Sequence, residues 1–180
     1  APVFEAAATT ATGASAEVLL EAKIDALDIT VLRGGATAVG DWALGHGFFL
    51  TPDSPEVLEF YAARSPIFMA ARFDATRAAR LGQNAGDGTP IMVTMKTDEP
   101  WVPLRILGLG KQPGDQVDAD VFLLTDQTPT LLPAPQPQQG LSLVYNRAAR
   151  AQLLDDLRAD EGMSWVPDSA WLTQVRIGSN

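Results

Sequence analysis

The chain has 180 residues, 46% hydrophobic and 19% charged, enough to bury one sizeable core and too few for two full-size domains. Its 22 acidic against 13 basic residues give a formal charge of −9, a field that repels phosphate backbones and argues against nucleic acid or an anionic lipid surface as partner. Cysteine is absent, which excludes disulfides, thiolate metal sites and cysteine nucleophiles, and no run of the sequence approaches the roughly twenty apolar residues that span a bilayer.

Residues 1–16 are low in complexity and rich in Ala, Thr, Gly and Ser, which predicts a flexible N-terminal segment; they lack the charged start and apolar run of a signal peptide, though a removed one could precede them. From Val18 the pattern alternates. Val18, Leu20, Ala22 and Ile24 share one face, and Leu27, Ile29 and Val31 resume after Asp25-Ala26, which predicts two strands or one bent strand. "ATAVGDWALG" then carries helical four-residue spacing, with Trp42 expected in the core. Its end holds the single histidine: His46 sits in the last turn, Gly47 is placed for a left-handed C-cap, and Phe48 can fold back onto the apolar face.

A second helix follows in "SPEVLEFYAA", with Ser54 as the expected N-cap, Pro55 at the first helical position and Pro66 closing the segment. "IFMAARF" reads as a strand and "GQNAGDGTP" as a loop. "IMVTMKT" and "WVPLRILGL" read as an antiparallel hairpin around Asp98-Glu99-Pro100, with Pro103 confining the second strand to an edge. "DADVFLLTD" is a further strand. Four prolines between Pro129 and Pro137 predict an extended surface crossing over 129–140. "LSLVY" reads as a strand, Asn146 as the cap of a helix with Leu153, Leu154 and Leu157 inward, and "AWLTQVRIG" as a last strand. Strands and helices without regular alternation predict an α+β fold: a largely antiparallel sheet with three or so short helices packed on it, forming a single domain over 17–177 with a C-terminal end at 178–180.

No motif advertises a reaction. A Ser-His-Asp triad would have to use His46, and the contexts of Ser15 and Ser142 both lack the second glycine of a nucleophile elbow. Asp115, Asp118 and Asp120 could offer oxygens to calcium, but the glycine and distal glutamate of a calcium loop are missing, and a solvated strand entrance is the better account. "GLGKQPG" lacks the spacing of a phosphate loop and reads as a turn. No cofactor is expected. Trp101, directly after a turn, and Trp165, between the last helix and strand, are packing residues or interface anchors; Pro133, Pro135 and Pro137 belong to the crossing that could dock a partner.

The order of segments resembles a bacterial family, domain of unknown function 2330. The resemblance rests on "VLLEAKIDALDITVLRGGATAVGDWALGHGFFLTPDSPEVLEFYAARSPIFMAARF", whose helix end at Trp42 to Phe48 stands where the family has L-x-x-W-L-x-x-N-G-Y. It continues through "TPIMVTMKTDEPWVPLRILGLG", "DADVFLLTD", "YNRAARAQLLDDL" and "AWLTQVRI" over residues 17–177. It implies an extracytoplasmic protein made with a signal peptide and often followed by a membrane anchor, and it assigns no activity. Here Asp25-Ala26 replaces the Gly-Pro that the family often uses at the first turn. Together these readings favour a non-enzymatic extracytoplasmic accessory or interaction module, a peripheral subunit partnered by a membrane or envelope protein. The alternatives are an envelope hydrolase using carboxylates such as Asp41, Asp118 or Asp120, and a small-ligand carrier with an apolar cavity.

Overall fold

The computed structural model describes residues 15–83, 91–98, 100–112, 114–160 and 162–178. Its two three-stranded antiparallel sheets and four short α-helices make an α+β fold, and no helix among the described residues is long and apolar enough to cross a membrane. The chain divides into two compact units, Ala1–Gly110 and Lys111–Asn180.

In the first unit, β1 (Glu17–Ile24) and β2 (Leu27–Arg33) form a hairpin closed by Asp25-Ala26. Asp25 takes a φ of +47°, a left-handed conformation that Asp tolerates in two-residue turns. β3 (Ile67–Phe73) pairs along the whole of β2, giving the order β1-β2-β3. The central strand supplies the buried Ile29 and Leu32. α1 (Ala36–Gly45) packs on α2 (Ser54–Ala62), and an added Cβ at Gly40 would sit 3.5 Å from the Leu58 side chain. Ala36, Val39, Val57 and Tyr61 are the buried hydrophobic residues of this pair.

Four local expectations need correction here. The N-cap of α2 is Asp53, which makes Ser54 the first helical residue and Pro55 the second; the Ser54 hydroxyl lies 2.9 Å from that of Thr51. A helix absent from the sequence reading, α3 (Ala75–Arg80), starts where the Asp74 carboxylate accepts the Arg77 backbone N–H at 2.9 Å. The expected hairpin around Asp98-Glu99-Pro100 does not form: no strand occurs among the described residues of 91–109, and Leu104–Gly108 is a 3-10 turn. Pro100 and Pro103 remove two backbone donors within four residues, which a ladder cannot replace. Trp42, expected in the core, is half-buried. Most of the "GQNAGDGTP" loop lies outside the described residues.

In the second unit, β4 (Asp118–Thr125), β5 (Leu141–Ala148) and β6 (Trp171–Gly178) pair in the order β4-β6-β5, so the last strand of the chain is the central one. Between β5 and β6 runs α4 (Ala151–Ala159), whose N-cap is Arg150. Asn146 is therefore no helix cap; it lies within β5 opposite Thr173. There its amide oxygen accepts the Trp171 indole N–H at 2.6 Å and the Thr173 hydroxyl at 3.1 Å, which satisfies the fully buried Thr173 and holds the strand past the expected end. Of the three leucines expected inward on α4, Leu154 is buried, Leu157 half-buried and Leu153 exposed, since neighbours on a helix point about 100° apart and only one can face the centre.

Candidate functional site

The first unit presents two surfaces with chemistry to offer. One begins where α1 ends. Phe48 N–H bonds to the Ala43 carbonyl at 2.9 Å and Gly47 N–H to the Leu44 carbonyl at 3.1 Å, with Gly47 at φ +78°: the paired bonds of a Schellman C-cap, in which His46 is the C-cap residue. The His46 ring lies 4.1 Å from the Trp42 ring in a stacked pair, and Phe48 approaches Trp42 at 5.9 Å. His46 Nδ1 is 2.7 Å from the Trp42 carbonyl oxygen. A carbonyl only accepts, so Nδ1 carries the proton and Nε2 of the neutral ring is left an acceptor.

These three rings wall an open groove of about 380 Å³ whose floor is the strand face of Glu21, Lys23, Asp28, Thr30 and Arg72. The register explains the floor. Glu21 pairs with Thr30, Lys23 with Asp28 and Asp28 with Arg72, so alternation along three strands places all five on one side of the sheet. On that side β2 changes from the buried Leu32 to the half-buried Thr30 and Asp28. Asp28 is held as a carboxylate: a hydrogen bond from Arg77 at 2.8 Å, aided by the charges of Arg77, Lys23 and Arg72, keeps its carboxyl below the usual range. Arg77 also donates to the Asp25 carbonyl at 2.6 Å and lies 3.4 Å from Asp74, tying the start of α3 to the hairpin turn.

The second surface is a ledge along α2. Trp101 stacks on Tyr61 at 5.4 Å, the Tyr61 hydroxyl accepts the Ile106 N–H at 3.2 Å, and Arg105 pairs with Glu56 at 3.0 Å while lying 4.3 Å over the Phe60 ring. Farther along, Asp53 accepts the Gly110 N–H at 3.2 Å; its hydrogen bonds from Thr51 and then Gly110 hold its carboxyl low. Residues 101–110 thus dock on α2 through side chains where strand pairing is unavailable. The ledge still leaves apolar carbon in water: Trp101 is 47% and Ile106 54% exposed, and Val102 and Leu107 are also exposed.

A family model described as "Uncharacterized protein conserved in bacteria" (DUF2330) matches residues 1–131. The chain belongs to this family. The match covers the groove and the ledge and stops short of β5, α4 and β6, so it is narrower than the 17–177 span suggested by the order of segments. No curated protein and no solved structure matches the chain.

The other residues singled out in the sequence lie in the second unit. Pro133, Pro135 and Pro137 fall beyond the DUF2330 match; Pro133 and Pro137 are exposed and Pro135 is half-buried. Trp165 is exposed beside the buried Val166. Asp115 is engaged in its own turn, accepting the Gln112 N–H at 2.8 Å. Asp118 and Asp120 occupy one face of β4, as alternation requires, and Asp120 accepts Gln174 at 3.0 Å and Arg176 at 3.2 Å, which hold its carboxyl low. Among the described residues no group of three His, Cys, Asp or Glu side chains is placed to hold a metal ion. Asp41 lies exposed on α1 outside the groove lining. The groove floor went unnoticed in the sequence, although charges at alternating positions of an amphipathic hairpin carried a readable signal: three strands had to be aligned before Glu21, Asp28 and Arg72 became neighbours.

Proposed function

We propose that this DUF2330 protein is a non-enzymatic, extracytoplasmic interaction module that docks a membrane or envelope protein through the Trp101 ledge. The supporting observation is the construction of that ledge: Trp101 is backed by the Tyr61 ring and fixed in place, yet nearly half of it stays in contact with water. A rigid, half-exposed tryptophan beside Val102 and Ile106 has the composition of an interface hot spot, where large aromatics supply area at low entropy cost. The location outside the cytoplasm follows the family resemblance. Of the carboxylates named for a hydrolase, Asp120 is held low by donors from Gln174 and Arg176, which suits an acceptor and opposes a proton donor, while Asp41 and Asp118 lie exposed and outside the groove lining.

The test is affinity purification of the intact protein from its native membranes, in wild-type form and as Trp101→Ala and Ile106→Ser, each checked for an unchanged far-UV spectrum. We expect a stoichiometric complex with a membrane or envelope protein, with the Trp101→Ala affinity reduced at least about tenfold, in line with roughly 2 kcal/mol for an anchoring aromatic. Recovery of the protein alone with activity on an envelope polymer, or of a complex that both variants leave intact, overturns the proposal.

A further inference from the structure

The ledge leaves the groove at the end of α1 unused. We infer that this groove binds a neutral saccharide, its sugar ring set against the Trp42, His46 and Phe48 wall and its hydroxyls on the polar strand floor. Three features select this ligand class. The wall is aromatic, with the His46 imidazole stacked on Trp42 at 4.1 Å and Phe48 tilted against it at 5.9 Å, and ring surface of this kind takes up the C–H face of a pyranose.

The floor alternates hydrogen-bonding character. Glu21 and Asp28 accept, Lys23 and Arg72 donate, and Thr30 does both. A hydroxyl is at once donor and acceptor, so a polyol can satisfy such a mixed set; a carboxylate or phosphate would meet Glu21 and Asp28 as like charges, and an amine would meet Lys23 and Arg72.

The charges are also already balanced. Asp28 has Arg72 at 3.6 Å and Arg77 at 2.8 Å, and Arg77 reaches Asp74 at 3.4 Å. With Glu21 and Lys23 added, three acidic groups stand against three basic ones, leaving no net charge to recruit an ion. About 380 Å³ lies at the small end of ligand sites and accommodates a mono- or disaccharide.

The experiment is a two-dimensional amide NMR titration of the intact protein with N-acetylglucosamine and with cellobiose, and in parallel with inorganic phosphate and with glycine. We expect either sugar to shift the Thr30, Gly47 and Phe48 amides and the Trp42 indole, with half-saturation on the order of 1 mM as suits an open groove. Glu21→Gln keeps the side-chain shape but turns one acceptor oxygen into a donor, and it should weaken binding about fivefold. Thr30→Val provides a second weakened variant should Glu21→Gln prove unstable, and Trp101→Ala should bind sugar as the wild type does, so this site stands or falls separately from the ledge. Absence of saturable sugar shifts, wild-type sugar affinity in both Glu21→Gln and Thr30→Val, or saturable shifts with phosphate or glycine alone would overturn the inference.

Discussion

Trp42 and Trp101 belong to the same unit and are treated in opposite ways. Trp42 is enclosed by residues that follow it directly in the chain: His46 stacks on it one helical turn later, and the Schellman cap at Gly47 brings Phe48 back beside it. Trp101 is held by a residue forty positions earlier, Tyr61, and by the side-chain bonds that fasten 101–110 to α2. Local closure yields the ring wall of a groove suited to a small ligand. Long-range docking yields an apolar ledge, suited to a protein. Three sets of substitutions can break this contrast or refine it.

The largest effect belongs to Tyr61, which is buried and carries both the Trp101 stack and the Ile106 hydrogen bond. Tyr61→Ala should cost about 3 kcal/mol of stability in urea unfolding, the scale of large aromatic deletions in cores. Tyr61→Phe keeps the ring and strands the Ile106 N–H, at about 1 kcal/mol. Equal losses in the two variants would mean that the ring stack adds nothing and that the ledge hangs on its hydrogen bond.

A medium effect separates the glycines that serve the two tryptophans. Gly47 and Gly110 have φ of +78° and +70°, but a Cβ at Gly47 meets nothing within 4 Å whereas one at Gly110 lies 2.8 Å from Thr51 Cγ2. Gly47→Ala should cost about 1 kcal/mol from backbone strain alone. Gly110→Ala should cost about 1 kcal/mol more, the extra being overpacking against Thr51. In a Thr51→Ser background, which removes that methyl, thermal melts of the two alanine variants should converge; a persistent excess at Gly110 would place the cost in the Asp53 hydrogen bond instead.

The same division governs what could be read from the sequence. The β1-β2 hairpin and the end of α1 are set by residues near one another in the chain, and alternation, the four-residue spacing in "ATAVGDWALG" and Gly47 foretell them. Elements closed by distant partners were misread. Residues 91–109 carry the apolar character of a hairpin, and only the side chains of α2 give 101–110 another place to dock. Asn146 resembles a helix cap until β6 arrives from the C-terminus to place Trp171 and Thr173 against it. For the groove, the helix end at Gly47 and the return of Phe48 were legible, whereas the half-exposed position of Trp42 and the floor were not, since register across β1, β2 and β3 is a tertiary fact.

The smallest effect bears on the floor itself and is one of pH. Asp28 has its native pKa depressed, chiefly by the Arg77 hydrogen bond, so its contribution to stability is present above the unfolded value of about 3.9 and is lost as pH falls through the native pKa. Asp28→Asn removes that contribution at every pH. The variant should therefore be less stable than wild type at pH 7, with the gap narrowing as pH drops below about 5 and closing once the wild-type carboxyl is protonated. Urea melts at stepped pH measure the gap directly. A gap that stays constant into acid would mean that Asn cannot replace the shape of Asp between Arg72 and Arg77, and that the floor is held by geometry more than by charge. A gap that closes would identify the floor as an electrostatic lattice formed before any ligand arrives, in contrast to the Trp101–Tyr61 stack and the Ile106 hydrogen bond of the ledge, which involve no carboxylate.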